Sequence, residues 1–590
     1  MRRLTRRNFV AGAMAGAGTY AVLGGPAILT SRGQVASSGS FTQGVASGEP
    51  SPDAITLWTR VEDASGNRRV ELEIAREGSL EPGTAGEGKF KDIVHKDTVR
   101  IEDGNPIVKT RVEDDDFKPA TEYFYRFSTG DESSRVGRFR TTPPADSNDP
   151  VRIAFFSCQE FVSGFYHAHR DLAGMDDIDI VLCLGDYIYE QEFDDGGIPA
   201  RRDPTGEVFT LGEYRAKYNF YQTDQDLLAM RQAHPLMSIW DDHEVEDNYA
   251  AMLPGGQATR RPNPYRQRQA AGYRTFFEYM PRFPSGDSDT QIYTSIPLGN
   301  AEVFLLDTRQ YRDNQVCAPG DSFIALPGCP PTEYNKPGRT LLGKEQLKWL
   351  KDGLESSKAR FKVVGTQVMI MSLDQVPGNP LNTDGWDGYG DERRELVDHI
   401  DENVDGDVTF ITGDIHTFFA GDVTRSGRIA PNNPDVEGDG IDGFTPKATE
   451  FVGGSISSKG ILDRANDDER VRDALDTAAN GETLVNNPHI RFSDQAFKGY
   501  AIVEAGVRGG LAAPDPDELQ VEYRRVCNVD SESDKSVDTL ARFRVDRQPV
   551  GDGPRVVVLE DRSNTMCGGS SQQGDSTDSE GPGTTTGGTP

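Results

Sequence analysis

The stretch Asp177–Glu190, DIDIVLCLGDYIYE, decides the fold. An apolar run through Leu184 stops at a glycine and delivers Asp186 at once, the pattern of a buried strand with a carboxylate at its carboxyl end. Three other segments repeat the pattern: VRIAFF runs into Ser157-Cys158-Gln159, HPLMSI into WDDHEVEDN from Trp240, and VTFIT into Gly413-Asp414-Ile415-His416. In open α/β sheets, ligands bind beyond the carboxyl ends of strands. Hard and borderline metal ligands at four such ends read as one hydrolytic metal centre.

Outward from these segments, residues 150–550 alternate strands (AEVFLLD, FKVVGTQVMIM, ATEFVGG) with helical stretches (GKEQLKWLKDGLESS, GDERRELVDHIDEN), which predicts an α/β layered domain. Residues 41–142 hold short strands such as AITLWTRV, VELEIA and EYFYRFS with no helical period, which predicts a β-sandwich. Pro119, Thr121, Tyr123 and Tyr125 resemble the tyrosine-bearing strand of a fibronectin-III-like module. TTPPADSNDP then breaks the pattern and sets a boundary near residue 145. Residues 568–590 have no large apolar side chain and are expected to form a disordered acidic Ser/Thr/Gly tail. No internal repeat is visible.

A length of 590 residues implies two or three domains. The formal charge is −32, and of 63 basic residues 47 are Arg and 16 Lys. That excess of acid argues against nucleic acid as a specific partner and against an anionic bilayer. The plain reading is a solvated acidic surface; the composition also resembles that of extreme halophiles, so higher activity and stability in concentrated salt are expected.

Residues 1–36 resemble a twin-arginine export signal: Thr5-Arg6-Arg7-Asn8-Phe9-Val10 precedes a Gly/Ala-rich stretch from Ala11 to Leu29. A retained membrane anchor is the alternative, disfavoured by the glycines. Cleavage near Gly25 and Ala27 or after Ala36 are both open. These residues carry five Arg and no acid, so their loss takes the charge from −32 to −37. No Cys follows the stretch to take a lipid, and no later run of 18 apolar residues occurs. The expectation is a protein exported by the twin-arginine machinery, secreted or at the cell surface, with no stable membrane insertion after cleavage. Cys317/Cys329 and Cys527/Cys567 are candidate disulfides in an oxidising compartment; Cys183, inside a strand, reads as a small buried hydrophobe.

Phosphoryl hydrolysis needs a nucleophile near neutral pH and neutralisation of phosphate charge, and adjacent metals supply both. Asp186 is the candidate bridging ligand. Tyr189, three residues on, is expected to turn back to the same metal within one helical turn, though a packed aromatic is the plain alternative. A phenolate and the Cys158 thiolate favour a transition metal. Asp414 and His416, one residue apart, would point the same way in an extended strand. Asp242 and Asn248 offer oxygens suited to Ca²⁺. His243 is the candidate to protonate the leaving group or steady the attacking water.

With these residues stands a longer series in order: GVASGEPSPDAITLWTRV, SCQ, GDYIYE, WDDHEVEDN, LLDTRQYR, RTLLGKEQLKWL, DGWDGYGDERRELV, TGDIHTFFAGDV, EFVGGSISS and NPHIRFSDQAFKGY. From about Phe41 to Val550 the chain resembles the alkaline phosphatase D (PhoD) family. The resemblance implies a four-layer calcineurin/purple-acid-phosphatase-like metallophosphatase domain preceded by the β-sandwich, with one Fe³⁺ and two Ca²⁺. By motif position, Cys158, Asp186, Tyr189 and His416 would hold iron, and Asp186, Asp242, Asn248 and Asp414 would serve calcium. Arg268 fits the family's phosphate-contacting arginine, with Arg266 and Arg261 as competitors. Two departures stand out: Tyr249 replaces a usual Trp, and a longer loop follows NQVC.

The expected function is hydrolysis of small-molecule phosphate monoesters and diesters by metal-bound hydroxide or oxide. Phospholipase D-like diester hydrolysis is the enzymatic alternative, and an inactive cell-surface binding protein is the non-enzymatic one.

Overall fold

The computed structural model describes residues 41–62, 69–77, 90–101, 106–130, 132–192, 197–255, 265–286, 288–317, 329–376, 378–425, 445–460, 463, 487–508, 515–547, 553–563, 565 and 567. The expected signal region, the acidic tail and Arg261 lie outside them.

Two seven-stranded sheets form the large domain. In the first, the order is Leu236–Ser238, Ile180–Cys183, Val151–Phe156, Lys498–Val507, Asp515–Val526, Val537–Arg547 and Pro554–Asp561. Its first three strands are mutually parallel, so their carboxyl ends share one edge. In the second, Ala301–Leu305, Phe361–Thr366, Asp407–Thr412 and Pro446–Gly453 are parallel neighbours flanked by Thr294–Leu298 on one side and Phe418–Thr424 and Ile490–Asp494 on the other. Three of the four segments singled out by pattern thus end in the first sheet and one in the second.

Strands whose residues are buried on both faces join the two sheets. In Phe361–Thr366, Phe361 and Val363 belong to the central core while Val364 faces the outer one. Tyr523 sits between the sheets, 5.0 Å from Phe418 and 4.9 Å from Phe543 by ring centroid, and its hydroxyl donates to the Phe419 carbonyl at 2.6 Å. Outside the second sheet lie helices Gly343–Ser356 and Gly390–Asn403. Leu347, Leu350 and Leu354 recur at helical spacing and pack with Phe304, Val364, Val408 and Phe410. Each buried leucine contributes about 2 kcal/mol. Helices His167–Ala173, Leu211–Tyr221, Gln225–Ala233 and Tyr265–Tyr279 add Leu172, Tyr214, Tyr218, Leu227 and Phe276 to the first sheet's core. The layers run helix, sheet, sheet, helix, the four-layer metallophosphatase arrangement.

The N-terminal strands form a three-stranded and a five-stranded sheet around a separate core. Alternation is strict in Glu122–Thr129, where Tyr123, Tyr125 and Phe127 are fully buried. This sandwich rests on the helices behind the first sheet: Trp58 Nε1 donates to the Glu278 carbonyl at 2.9 Å and Arg138 Nε to Ala233 at 3.0 Å.

Some expectations need correction. FKVVGTQVMIM is a strand only to Thr366; beyond it Gln367 donates to the carbonyls of Trp240 and Leu306, pulling the chain off the sheet and across the site. The last strand of the first sheet, Pro554–Asp561, lies past residue 550. Both expected disulfides form, Cys317–Cys329 and Cys527–Cys567, and Cys183 is buried and free. Among the described residues, no helix is long and apolar enough to cross a membrane.

Candidate metal centre

The loops that follow the strands meet where the two sheets' carboxyl edges face each other, and they meet tightly. A methyl group on Gly185 would lie 2.4 Å from Asp241 Cβ, and one on Gly413 2.5 Å from Ser157 Oγ, so only glycine admits this approach. Ten described non-glycine residues have left-handed backbone, and five of them are Cys158, Asp186, Asn248, Asp414 and His416. Each such residue costs about 1 kcal/mol, a strain that concentrates at functional sites.

In these loops, three sets of side chains bring ligand atoms within 4.8 Å of one another: Cys158, Asp186 and His416; Asp186, Asp242 and His243; Asp241, Asp242 and Asp414. Asp186 is common to the first two sets and Asp242 to the last two, so the three form one chain of sites. Tyr189 belongs to the first: its hydroxyl lies 3.3 Å from Asp186 Oδ2 and 3.1 Å from His416 Nε2. Asn248 is held at the Asp242 end, its backbone N–H donating to Asp242 Oδ2 at 2.7 Å.

The convergence is reached by other geometry than the spacing suggested. No helix connects Asp186 to Tyr189; the left-handed turn at Asp186 brings the phenol back. The strand before Asp414 ends at Thr412, so Asp414 and His416 do not stand on one strand face. Their left-handed backbones direct Asp414 to Asp241 and Asp242 and His416 to Cys158 and Asp186.

Electrostatics explain why these groups call for cations. Burial pushes the Cys158 thiol and the Tyr189 phenol well above their usual values, and the Asp186 carboxylate adds to both shifts. Asp186 and Asp414 are themselves raised well above the carboxylate range, chiefly by burial and with neighbouring acids adding to it, against the opposing pull of His243 and Arg309 respectively. Asp241 is pushed up to about 6 by burial despite Arg309. For Asp242, burial is overcome by Arg309 and His243, and its pKa is held low. Among the described residues, Asp186 Oδ1 and Asp241 Oδ2 are buried with no hydrogen-bond partner. Lone carboxylate oxygens facing other acids, with a thiol, a phenol and an imidazole, fit a cluster of metal ions. His416 Nδ1 lies 2.7 Å from the Lys459 carbonyl; donation there fixes the tautomer that leaves Nε2 as the ligating atom.

His243 is 7% exposed, stacks on Tyr189 with centroids 4.1 Å apart, and places Nδ1 2.8 Å from Glu190 Oε2. Burial alone would neutralise it, but Asp242, Asp186 and Glu190 together raise its pKa well above the usual value. Arg268 lies against Tyr214, Glu246, Glu207 and Phe209. It is buried, its Nε donates to Tyr214 at 3.2 Å, and its Nη1 lies 3.3 Å from Glu246 and 3.5 Å from Glu207. Neither terminal nitrogen has a hydrogen-bond partner among the described residues. Arg266 is on the same helix, Tyr265–Tyr279.

Sequence reasoning missed Arg309. Its fully buried guanidinium bonds Asp241 and lies 2.7 Å from Asp384, 3.4 Å from Asp414 and 3.6 Å from Asp242. LLDTRQYR stood in the quoted series, and an arginine three residues beyond an apolar run was the available signal. Ser458 was missed as well: its hydroxyl donates to the Cys158 carbonyl at 2.8 Å and lies 2.7 Å from the Tyr189 hydroxyl.

Comparison with known proteins adds the relatives of this geometry. The family model described as PhoD-like phosphatase matches residues 153–509, and that for the PhoD-like phosphatase N-terminal domain matches residues 28–143. Alkaline phosphatase D of Bacillus subtilis (strain 168) is 33% identical over 535 residues, covering 87% of this chain and 82% of that protein. The solved structure of PhoD superposes with a TM-score of 0.72 at 30% identity, covering 89% of this chain and 93% of that one.

Proposed function

From the premise that this chain belongs to the PhoD-like phosphatase family and is a metal-dependent phosphoric ester hydrolase, we propose that it hydrolyses both phosphate monoesters and diesters at the Asp186–Asp242 cluster. The observation that carries the reading is the chain of three ligand sets sharing Asp186 and Asp242. In the proposal, Cys158, Asp186, Tyr189 and His416 hold one Fe³⁺, and Asp186, Asp242, Asn248 and Asp414 serve two Ca²⁺. Thiolate and phenolate donors suit the first ion, and a carboxylate and amide set suits the others. When bound, such ions neutralise phosphate charge and lower the pKa of coordinated water.

The residues themselves supply the rest. His243, held by Glu190 and beside Asp242 and Asp186, donates the proton that the departing alkoxide needs. Glu190 fixes the ring so that Nδ1 is committed and Nε2 delivers that proton. Arg268 contacts the phosphate through Nη2, which makes no hydrogen bond among the described residues, while Nη1 faces Glu246 and Glu207. The assignment of 41–142 to a β-sandwich domain, 150–550 to the hydrolase and 1–36 to a twin-arginine signal belongs to the same proposal, as does export from the cell. Two disulfides favour an oxidising compartment.

The test is hydrolysis of paired chromogenic substrates, a phosphate monoester and the matching bis-ester, with and without chelator and Ca²⁺. Turnover of both, lost with chelator and restored by Ca²⁺, is the expected result; hydrolysis of the monoester alone rejects the diester activity, and turnover indifferent to chelator rejects the metal assignment. Iron is tested separately by light absorption. Phenolate and thiolate on Fe³⁺ both give visible charge-transfer bands, so Tyr189→Phe should weaken and shift the absorption, leaving the thiolate part, while the iron content remains.

A further inference from the structure

Glu244 is fully buried between the two loops that carry Asp186 and Asp241, and no role has been assigned to it. Its Oε2 accepts the backbone N–H of Asp186 at 3.1 Å and of Asp241 at 2.8 Å, while Oε1 accepts that of Tyr187 at 2.6 Å. These loops leave adjacent parallel strands, Ile180–Cys183 and Leu236–Ser238, and are joined further on by Glu190, which accepts the Asp247 N–H at 2.9 Å and meets His243 Nδ1 at 2.8 Å; at the Asp186 and Asp241 backbones the tie is Glu244. A carboxylate is acceptor on both oxygens, so it alone among side chains of this length can take three N–H groups from two segments without presenting a donor to any. It also holds the left-handed backbone of Asp186, a conformation that persists only when its surroundings enforce it.

We propose that Glu244 is a positioning residue that assembles the shared part of the metal centre, fixing Asp186 against Asp241 before any ion binds. The inference rests on the assignment of Asp186 as a metal ligand. Outer groups that orient ligands in this way typically set metal affinity by about 10- to 100-fold.

The second sheet supplies an internal control. Glu450, likewise fully buried, accepts Ile370 N–H at 2.9 Å, Met371 N–H at 2.6 Å and the Thr412 hydroxyl at 2.6 Å. It ties the segment beyond Thr366 to the end of the strand Asp407–Thr412 with the same chemistry, but none of its partners is a proposed ligand. A purely structural role would make the two glutamates equivalent, whereas a positioning role separates them.

The experiment titrates the chelator-treated full chain with Ca²⁺ calorimetrically, comparing wild type with E244Q, E244D, E450Q and D186N. E244Q, with one acceptor replaced by an amide donor, should raise Kd by about 10- to 100-fold. E244D, shorter but still a carboxylate, should fall between, and E450Q should stay within about threefold of wild type while lowering Tm. Equal Kd in E244Q and wild type, or an equal rise in E450Q, overturns the proposal. D186N keeps the two failures apart: if it leaves Kd unchanged, the metal assignment itself is wrong, and if it abolishes binding while E244Q does not, only the role of Glu244 is wrong. Should E244Q not fold, hydrogen exchange on metal-free wild-type protein decides. Slow exchange at the amides of Asp186, Tyr187 and Asp241 is expected, and exchange at the rate of open loops refutes pre-assembly.

Discussion

The two sides of the metal centre are built on opposite principles. On the Cys158 side, a thiol, a phenol, an imidazole and Asp186 meet, and burial pushes the thiol and the phenol towards their protonated forms. On the Asp241 side, Arg309 stands among four carboxylates and keeps Asp242 ionised. The first side depends on a bound ion for its charged form; the second carries part of its countercharge within the chain. A buried anion needs a partner, and the protein provides that partner by two routes within one pocket.

Removing the residue common to both sets should have the largest effect. Asp186→Asn is expected to lower kcat/KM on a chromogenic monoester by about 10³-fold, equivalent to about 4 kcal/mol, since it withdraws the shared charge. A variant retaining a tenth of wild-type activity would break the link between the sides. Next comes Arg309→Met, which strands the acids around it. A loss of about 3 kcal/mol is expected in denaturant unfolding of the metal-free protein, with a smaller loss once Ca²⁺ is bound. Equal losses in both states would show that Arg309 and the ions do not share a task.

His243→Asn should lower kcat about 100-fold with little change in KM, because the proton is needed only as the leaving group departs. The deficit should shrink with leaving groups acidic enough to depart unprotonated, and a uniform deficit would assign His243 to the metal instead. The smallest expected effect concerns the brace behind Cys158. Burial pushes His169 down to about 3; its Nε2 lies 2.7 Å from Gln159, which in turn donates to the Tyr187 carbonyl. A base with a depressed folded pKa stabilises the fold fully above its unfolded value near 6.5, and that contribution is lost as pH falls towards about 3. Wild type should therefore lose up to about 1.4 kcal/mol more per pH unit below 6.5 than His169→Gln. Parallel pH curves for the two proteins would remove His169 from the account.

Much of this was legible in the residues. The four strand ends, the flanking helices and the sandwich follow from apolar period and turn residues, which act over a few neighbours. The ligand candidates were legible because each stands in the loop that follows such a strand. Arg309, Glu244 and Ser458 were not singled out, since their partners are contributed by segments distant in sequence or by a backbone turn that no side-chain pattern records. Asp414 and His416 illustrate the limit: the two residues were found, but the reason they reach different ligand sets was misread. A strand was assumed where the chain takes left-handed turns.

By itself, then, the sequence determined which segments are buried strands, which polar residues end them, and that an acidic chain of this pattern resembles a phosphatase family. Only the tertiary structure decided that three ligand sets share Asp186 and Asp242, that an arginine serves as countercharge on one side, and that a buried glutamate ties the loops. The physical reason is range: burial pattern is a local property of the chain, whereas the charge balance of a pocket depends on how two sheets pack their edges together.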